Sequence, residues 1–356
     1  MKNYYRLGVL GLTSGLAFSA LAQSTSQQNA AQPLPATGAQ PAGTIQLAAN
    51  ASGDLLQELQ EIVVTARRRE EVARDVPIPL SVISGDTLED KSIFNVNRLT
   101  ESQPSLQLFT SNPRNTAINI RGFGAPFGLT NDGLEPGVGV YVDEVFHARP
   151  ATATFDFIDT ERIEILRGPQ GTLYGKNTTA GAINLHTRDA GFTPEGAVEV
   201  SYGNYNFQQA RAYLNGPITD KLAGRLSFAS TSRDGVLRNI NTNDDVNDMN
   251  NLGLRSQLRY EYSDDLTITL RGDFNKQRLE CCTQVFVGVA PTQRPENRQF
   301  AAIAADLNYA PASTNPFDRV TAVDTPLQAN QDIGGASVHV EWSTAAGSFT
   351  SVSACA

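Results

Sequence analysis

The sequence predicts a mixed α+β domain over residues 67–190 followed by antiparallel transmembrane β-barrel strands over residues 191–356. Three observations carry that expectation. Before about residue 190 the chain gives short elements separated by Gly, Pro and Asn turns. After it, apolar and polar side chains alternate over stretches of about ten residues, the pattern of strands with two unlike faces. No later apolar run reaches the roughly 20 residues that a spanning helix needs.

The first residues read as an export signal spanning 1–22. Lys2 and Arg6 give a basic start, Leu7 to Phe18 an apolar core, and Ala20-Leu21-Ala22 a small-residue cleavage site before Gln23. Residues 23–60 are rich in Gln, Ala, Pro and Ser and nearly free of aromatics, so they bury too little apolar surface to offset the entropy of ordering. They read as a flexible linker. The net charge of -9 excludes an electrostatic footprint for nucleic acid, which is basic.

Glu61 to Ala66, EIVVTA, is an isolated β-prone hexamer between that linker and the basic run Arg67, Arg68, Arg69. β-Branching at Ile62, Val63 and Val64 favours an extended peptide able to add to the edge of another sheet. The same residues also suit an ordinary first strand of the following domain.

Within that domain Ser81, Val82 and Ile83 end a strand. Asp86 with Glu89 suggests a capping box, and Asn95 a cap for a helix through Leu99 that Pro104 stops. Ala117 to Arg121 alternates around Ile118 and Ile120, and Val138 to Val145 reads as one buried strand interrupted by Asp143 and Glu144. In Glu161 to Arg188, ERIEILRGPQGTLYGKNTTAGAINLHTR, Ile163 and Ile165 alternate with Arg162 and Glu164 as a half-buried strand would. Ile183 and Leu185 repeat the pattern against Asn184 and His186. Gly175 and Lys176 approach a phosphate-binding loop, but that motif wants glycine at 170 and a hydroxyl at 177, where this chain has Gln170 and Asn177.

Four stretches in order, PIPLSVISGDTL from Pro77, INIRGFG from Ile118, VGVYVDEV from Val138 and LRGPQGTLYG from Leu166, resemble the plug domain of TonB-dependent outer-membrane receptors. The resemblance implies that residues 67–190 fill a barrel lumen and that Glu61, Ile62, Val63, Val64, Thr65 and Ala66 are the TonB box. It further implies ligand contact from the loops at Phe123 to Leu134 and His147 to Thr154, where Phe123, Phe127 and His147 are the candidates. Arg121, Glu164 and Arg167 are candidates for ion pairs latching plug to barrel wall, since an unpaired buried charge is costly.

From Gly196 about seven strands are expected: 196–203, 206–216, 220–232, 251–262, 265–275, 334–343 and 347–355. In the clearest, Leu252, Leu254, Leu258, Tyr260 and Tyr262 fall opposite Arg255, Gln257, Arg259 and Glu261. A soluble sandwich alternates too. Connections that are short at 217–219 and 263–264 but long at 233–250 and 276–333 favour an outer-membrane barrel, as do Tyr202, Tyr260, Tyr262, Phe274 and Trp342 near strand ends. A plugged lumen belongs to barrels of about 22 strands. Seven strands are therefore expected to be the N-terminal part of a longer barrel, unlikely to transport alone.

Cys281, Cys282 and Cys355 fit an exported protein and leave open a loop disulfide or a partner elsewhere. No zinc cluster, nucleophile elbow or cofactor motif is present, so a non-enzyme is expected. The resemblance implies active uptake of a large scarce solute, most commonly a ferric siderophore, driven through TonB of the TonB-ExbB-ExbD system in a protein embedded in outer-membrane lipid. The rival reading is a passive porin or a structural outer-membrane protein.

Overall fold

The computed structural model describes residues 62–110, 113–125, 135–325 and 327–355. The expected export signal, the linker, Glu61 and Phe127 lie outside the described residues.

The chain opens with β1 (Val63–Val64), paired antiparallel with β2 (Glu71–Val72). β3 (Leu80–Ser84) runs into α1 (Gly85–Asp90), whose cap is Ser84, accepting from the Thr87 amide at 3.3 Å. The expected Asp86/Glu89 capping box is thus corrected: both carboxylates instead meet the Arg188 guanidinium at 3.2 Å. α2 (Val96–Ser102) is capped by Asn95 as its sequence implied, the side chain accepting from the Arg98 amide at 3.0 Å.

β4 (Leu106–Thr110) and β5 (Thr116–Ile120) form a hairpin. The stretch from Val138, read from sequence as one strand, is two: β6 (Val138–Val142) and β7 (Val145–His147), paired antiparallel. Asp143 and Glu144 are the turn between them, with φ of 44° and 67°. Positive φ at both central residues is what a tight turn between twisted strands requires. β8 (Thr160–Arg167), α3 (Gly171–Tyr174) and β9 (Gly181–Thr187) complete a five-stranded sheet of order β3-β8-β9-β6-β7, in which only β6 and β9 run parallel.

β8 is buried on both faces, which corrects the half-buried expectation. Ile163 and Ile165 pack with Ile83, Leu99, Ile118 and Ile183 in one core, while Leu166 packs with Val64, Ala66, Tyr141 and Tyr174 in another. The second core exists because residues 64–66 lie across that face of the sheet; it leaves Glu164, on the same face as Leu166, fully buried. At Gly181, with φ +153°, an added Cβ would meet the Leu166 carbonyl oxygen at 2.3 Å, so only glycine fits where β9 passes β8.

Beyond the plug-like sheet come β10 (Glu195–Gly203), β11 (Phe207–Thr219) and β12 (Leu222–Arg233). The next connection carries β13 (Leu237–Asn239) and β14 (Asp245–Val246) before β15 (Met249–Ser263) and β16 (Leu266–Glu280). α4 (Phe300–Asp306) and β17 (Val320–Thr321) lie in the longest connection, and β18 (Gln328–Thr344) and β19 (Gly347–Cys355) follow. β10, β11, β12, β15, β16, β18 and β19 form one antiparallel sheet in chain order, one strand at each of the seven expected places. β16 and β18 run several residues past the expected ends, because their pairing continues to Glu280 opposite Gln328 after the apolar alternation has stopped. Turns at 220–221, 264–265 and 345–346 share one end; 204–206, 234–248 and 281–327 share the other, where β13 pairs with both β14 and β17 and ties the two long connections together.

This sheet is inside out. On β15 Leu254 and Leu258 are 44% and 41% exposed, whereas Arg255 and Gln257 between them are 8% and 3% exposed. Val198, Tyr202, Leu214, Leu270, Phe274 and Trp342 are likewise exposed, and Arg225, Ser227, Thr269 and His339 buried. A soluble sandwich buries its apolar face. Apolar side chains turned outward and polar ones inward are the pattern of a strand in lipid.

Candidate functional site

The first part of the site is the strap formed by residues 62–66. The Thr65 amide donates to Glu164 Oε1 at 2.9 Å, and the same oxygen accepts from Arg162 Nε at 2.9 Å with His186 Nε2 at 3.4 Å. The Thr65 hydroxyl meets Arg162 Nη2 and His186 Nε2, both at 3.2 Å. One residue on, Tyr174 donates to the Ala66 carbonyl at 3.0 Å and accepts from Asn184 at 2.7 Å. The Arg68 guanidinium lies 4.5 Å from the centre of the Tyr174 ring and 3.5 Å from Glu144. Burial alone would raise the Glu164 carboxyl; hydrogen bonding and charge from His186, with the Thr65 amide and Arg162, overcome it and hold the group at about 2. Burial pushes the Tyr174 phenol up to about 12.

Of the strap, Ile62 and Val63 are exposed and Val64 and Ala66 fully buried. The hexamer is therefore no free peptide. Ile62 and Val63 are exposed and paired with β2 along one edge, the Ile62 carbonyl accepting from the Ala73 amide at 2.8 Å, while residues 64–66 are clasped to the domain.

The second part is the seam between the domain and the inner face of the sheet. Asp143, in the β6–β7 turn, meets Arg255 Nη2 at 2.5 Å and Arg271 Nε at 3.9 Å, and accepts from the Thr187 amide at 2.8 Å and hydroxyl at 2.7 Å. Burial opposes ionisation of Asp143, but the two guanidiniums and Thr187 outweigh it and keep the carboxyl below its ordinary value. Asp159 takes Arg225 through two bonds of 2.5 and 2.7 Å and the Ser227 hydroxyl at 2.5 Å. Asp189 meets Arg271 at 2.6 Å, and Gln257 donates to the Arg188 carbonyl at 2.9 Å. These ion pairs across the seam run one way, from domain carboxylates to wall arginines.

None of the three latch candidates spans this seam among the described residues. Glu164 is spent on the strap, Arg167 donates to the Ser81 hydroxyl inside the domain, and Arg121 is exposed in a turn where its amide meets the Ser105 carbonyl. The reason is position: β8 is an interior strand, so its charges meet the domain's own neighbours. The side chains that do cross are wall arginines on the buried polar face of alternating strands and domain carboxylates at turns. Their sequence signal was the arginine set opposite the Leu face, and Asp143 read as an interruption rather than as a turn.

The ligand-loop candidates part company. Phe123 is 73% exposed in the turn after β5, whereas His147 ends β7 and lines a small cavity at the seam with Arg255 and Asp273. Burial there pushes the His147 imidazole below its ordinary value. Cys281 and Cys282 are bonded to each other, and Cys355 is free and exposed.

Residues 72–182 match the family model described as the TonB-dependent Receptor Plug Domain. The chain is 30% identical over 200 residues to the pesticin receptor of Yersinia pestis, an alignment covering 55% of this chain and 29% of that protein. It is 28% identical over 242 residues to the iron-regulated outer membrane virulence protein of Vibrio cholerae, covering 62% and 34%. Among solved structures it resembles the ferric yersiniabactin uptake receptor of Yersinia pestis, with a TM-score of 0.64 at 22% identity over 78% of this chain and 40% of that one. The chain thus spans about a third of the length of the curated relatives it matches. Residues 72–182 thus carry a TonB-dependent receptor plug domain, and the strands that follow grip that domain with their polar face and turn their apolar face outward.

Proposed function

We propose that the chain serves energised uptake of a large scarce solute across the outer membrane, with residues 61–66 as the strand that TonB engages. The observation that carries this reading is the divided strap: exposed residues Ile62 and Val63, paired with β2 along one edge only, joined to a clasp at Thr65 and Ala66 that reaches β8 through Glu164. A partner that adds a strand at Val63 gains main-chain hydrogen bonds and a lever on the buried core. A passive pore has no use for such a lever.

The solute is a ferric siderophore by analogy with relatives named for pesticin, iron regulation and ferric yersiniabactin. The work comes from the inner membrane through TonB, ExbB and ExbD, and no covalent chemistry is involved. Export by residues 1–22 and residence in outer-membrane lipid complete the reading; the outward apolar face of the sheet supports the latter. Phe123 and Phe127 remain the plug-loop residues proposed to meet solute, with His147 acting from the seam.

The test is binding of the TonB C-terminal domain to the chain in detergent. Val63→Pro removes a backbone donor from the exposed half of the strap and is expected to abolish binding. Unchanged affinity in that variant discards the assignment of residues 61–66.

A further inference from the structure

β16 and β18 stop pairing at Glu280 and Gln328, and there the chain leaves the wall through two neighbouring cysteines bonded to each other, Cys281 and Cys282. A disulfide stabilises chiefly by closing a loop, and the gain grows with loop length. Between adjacent residues that gain is minimal. What the bond does hold is a local conformation: Cys282 sits at φ of +82°, a region that residues with a Cβ rarely adopt.

That conformation delivers Thr283 to Asn247. The Thr283 amide donates to Asn247 Oδ1 at 3.0 Å, and Asn247 Nδ2 donates back to the Thr283 carbonyl at 2.8 Å. The Asn247 amide in turn donates to the Glu280 carbonyl at 2.6 Å, and its carbonyl accepts from Arg233 at 2.5 Å. On the other side the Cys281 amide donates to the Leu327 carbonyl at 2.9 Å, continuing the β16–β18 ladder by one bond. The roots of the two long connections and the end of β12 therefore meet around one stapled dipeptide. Residues 281–295 carry no helix or strand, so the course of this segment is set largely at its root.

The staple is open to attack. Cys281 is buried and Cys282 partly exposed, and both line a cavity of about 260 Å³ together with Asn247 and Leu279. A small thiol has room to enter, and Cys282 is the more accessible sulfur.

We propose that Cys281 and Cys282 form a thiol-reducible switch, which fastens the root of the 281–327 connection when bonded and releases it when reduced. The thiolate of a low-molecular-weight thiol bonds to Cys282 Sγ; the Cys281–Cys282 bond breaks, and Cys281 leaves as a thiolate that takes up a proton. A second thiolate attacks the outer sulfur of the mixed disulfide, Cys282 leaves and is protonated, and the small molecule departs as its own disulfide. Two electrons and two protons thus pass from two thiols to the pair. With the staple open, Cys282 is free to leave positive φ and Thr283 parts from Asn247, while the Cys281–Leu327 bond stays with the ladder. In oxidising surroundings the bonded form is the resting one. The switch is independent of the strap and of the solute carried.

The test uses the full chain in detergent, with and without dithiothreitol. Alkylation with iodoacetamide in denaturant should modify Cys355 alone in the untreated chain and all three cysteines in the reduced one. Hydrogen exchange of the two folded forms should show the Thr283 amide exchanging roughly tenfold faster after reduction, with the Cys281 amide and the emission of Trp342 unchanged. Cys281→Ser combined with Cys282→Ser should give the fast rate with or without dithiothreitol, and Cys355→Ser should respond as the parent does. Three modified cysteines in the untreated chain, or equal Thr283 exchange in the two forms, overturns the switch. Faster exchange throughout β16 and β18 after reduction makes the bond a brace of the wall and overturns it as well.

Discussion

The Thr65 amide donates to a carboxylate ninety-nine positions away, Glu164, at 2.9 Å, and that carboxylate is fully buried. One hydrogen bond thereby joins the segment proposed for TonB to β8, an interior strand of the plug sheet. Its partner Oε2 has no hydrogen bond among the described residues, so the clasp is held through a single oxygen.

Glu164→Gln removes the charge while keeping the shape. It should loosen the strap by about 1–3 kcal/mol, the usual cost of disturbing a buried hydrogen bond to a charged group. Amide hydrogen exchange at Thr65 and Ala66 should accelerate, and unchanged protection would show that the strap is held by Tyr174 and packing instead.

The same carboxylate sets an acid limit. Its pKa in the folded chain is about 2, below the ordinary 4.5, so its contribution to stability is fully present above about pH 4.5 and is lost as pH falls toward 2. Protection of the Thr65 amide, corrected for intrinsic exchange, should stay flat from pH 7 to about 4.5 and decline below it. A decline centred above pH 5 would assign the sensitivity to another group.

Across the seam, Asp143→Ala strands Arg255 and part of Arg271 in a buried setting, at an expected cost of about 3–5 kcal/mol. Adding Arg255→Ala should recover part of that loss, because the second change removes the orphaned charge. Denaturant midpoints of the single and double variants in detergent measure this; strict additivity would mean the two residues do not act as a pair.

Much of this was legible in the residues. The seven wall strands follow from alternation at period two, which survives because each strand keeps unlike faces along its length. Which face points inward was not legible, since Leu254 and Arg255 alternate identically in a sandwich and in a barrel. Burial on both sides of β8 was hidden for a related reason: Glu164 looks like a surface residue until the strap is laid across it.

Lipid exposure predicts opposite costs on the two faces. Leu254→Arg, on the outward face, should cost about 2–4 kcal/mol of stability in vesicles if it lies near the bilayer midplane. Ser256→Arg, on the same face, should behave alike, whereas Thr269→Ser on the inner face should be nearly silent. Full tolerance of arginine at both 254 and 256 would contradict the orientation.

Trp342 is the chain's single tryptophan and sits 51% exposed on the outward apolar face of β18, two residues before its terminal turn. Its fluorescence in vesicles therefore reports the orientation of the wall without labelling. The account predicts blue-shifted emission that brominated lipid quenches strongly and aqueous iodide weakly. A folded monomer that stays in the aqueous phase, with Trp342 emitting as in water and untouched by brominated lipid, would contradict it.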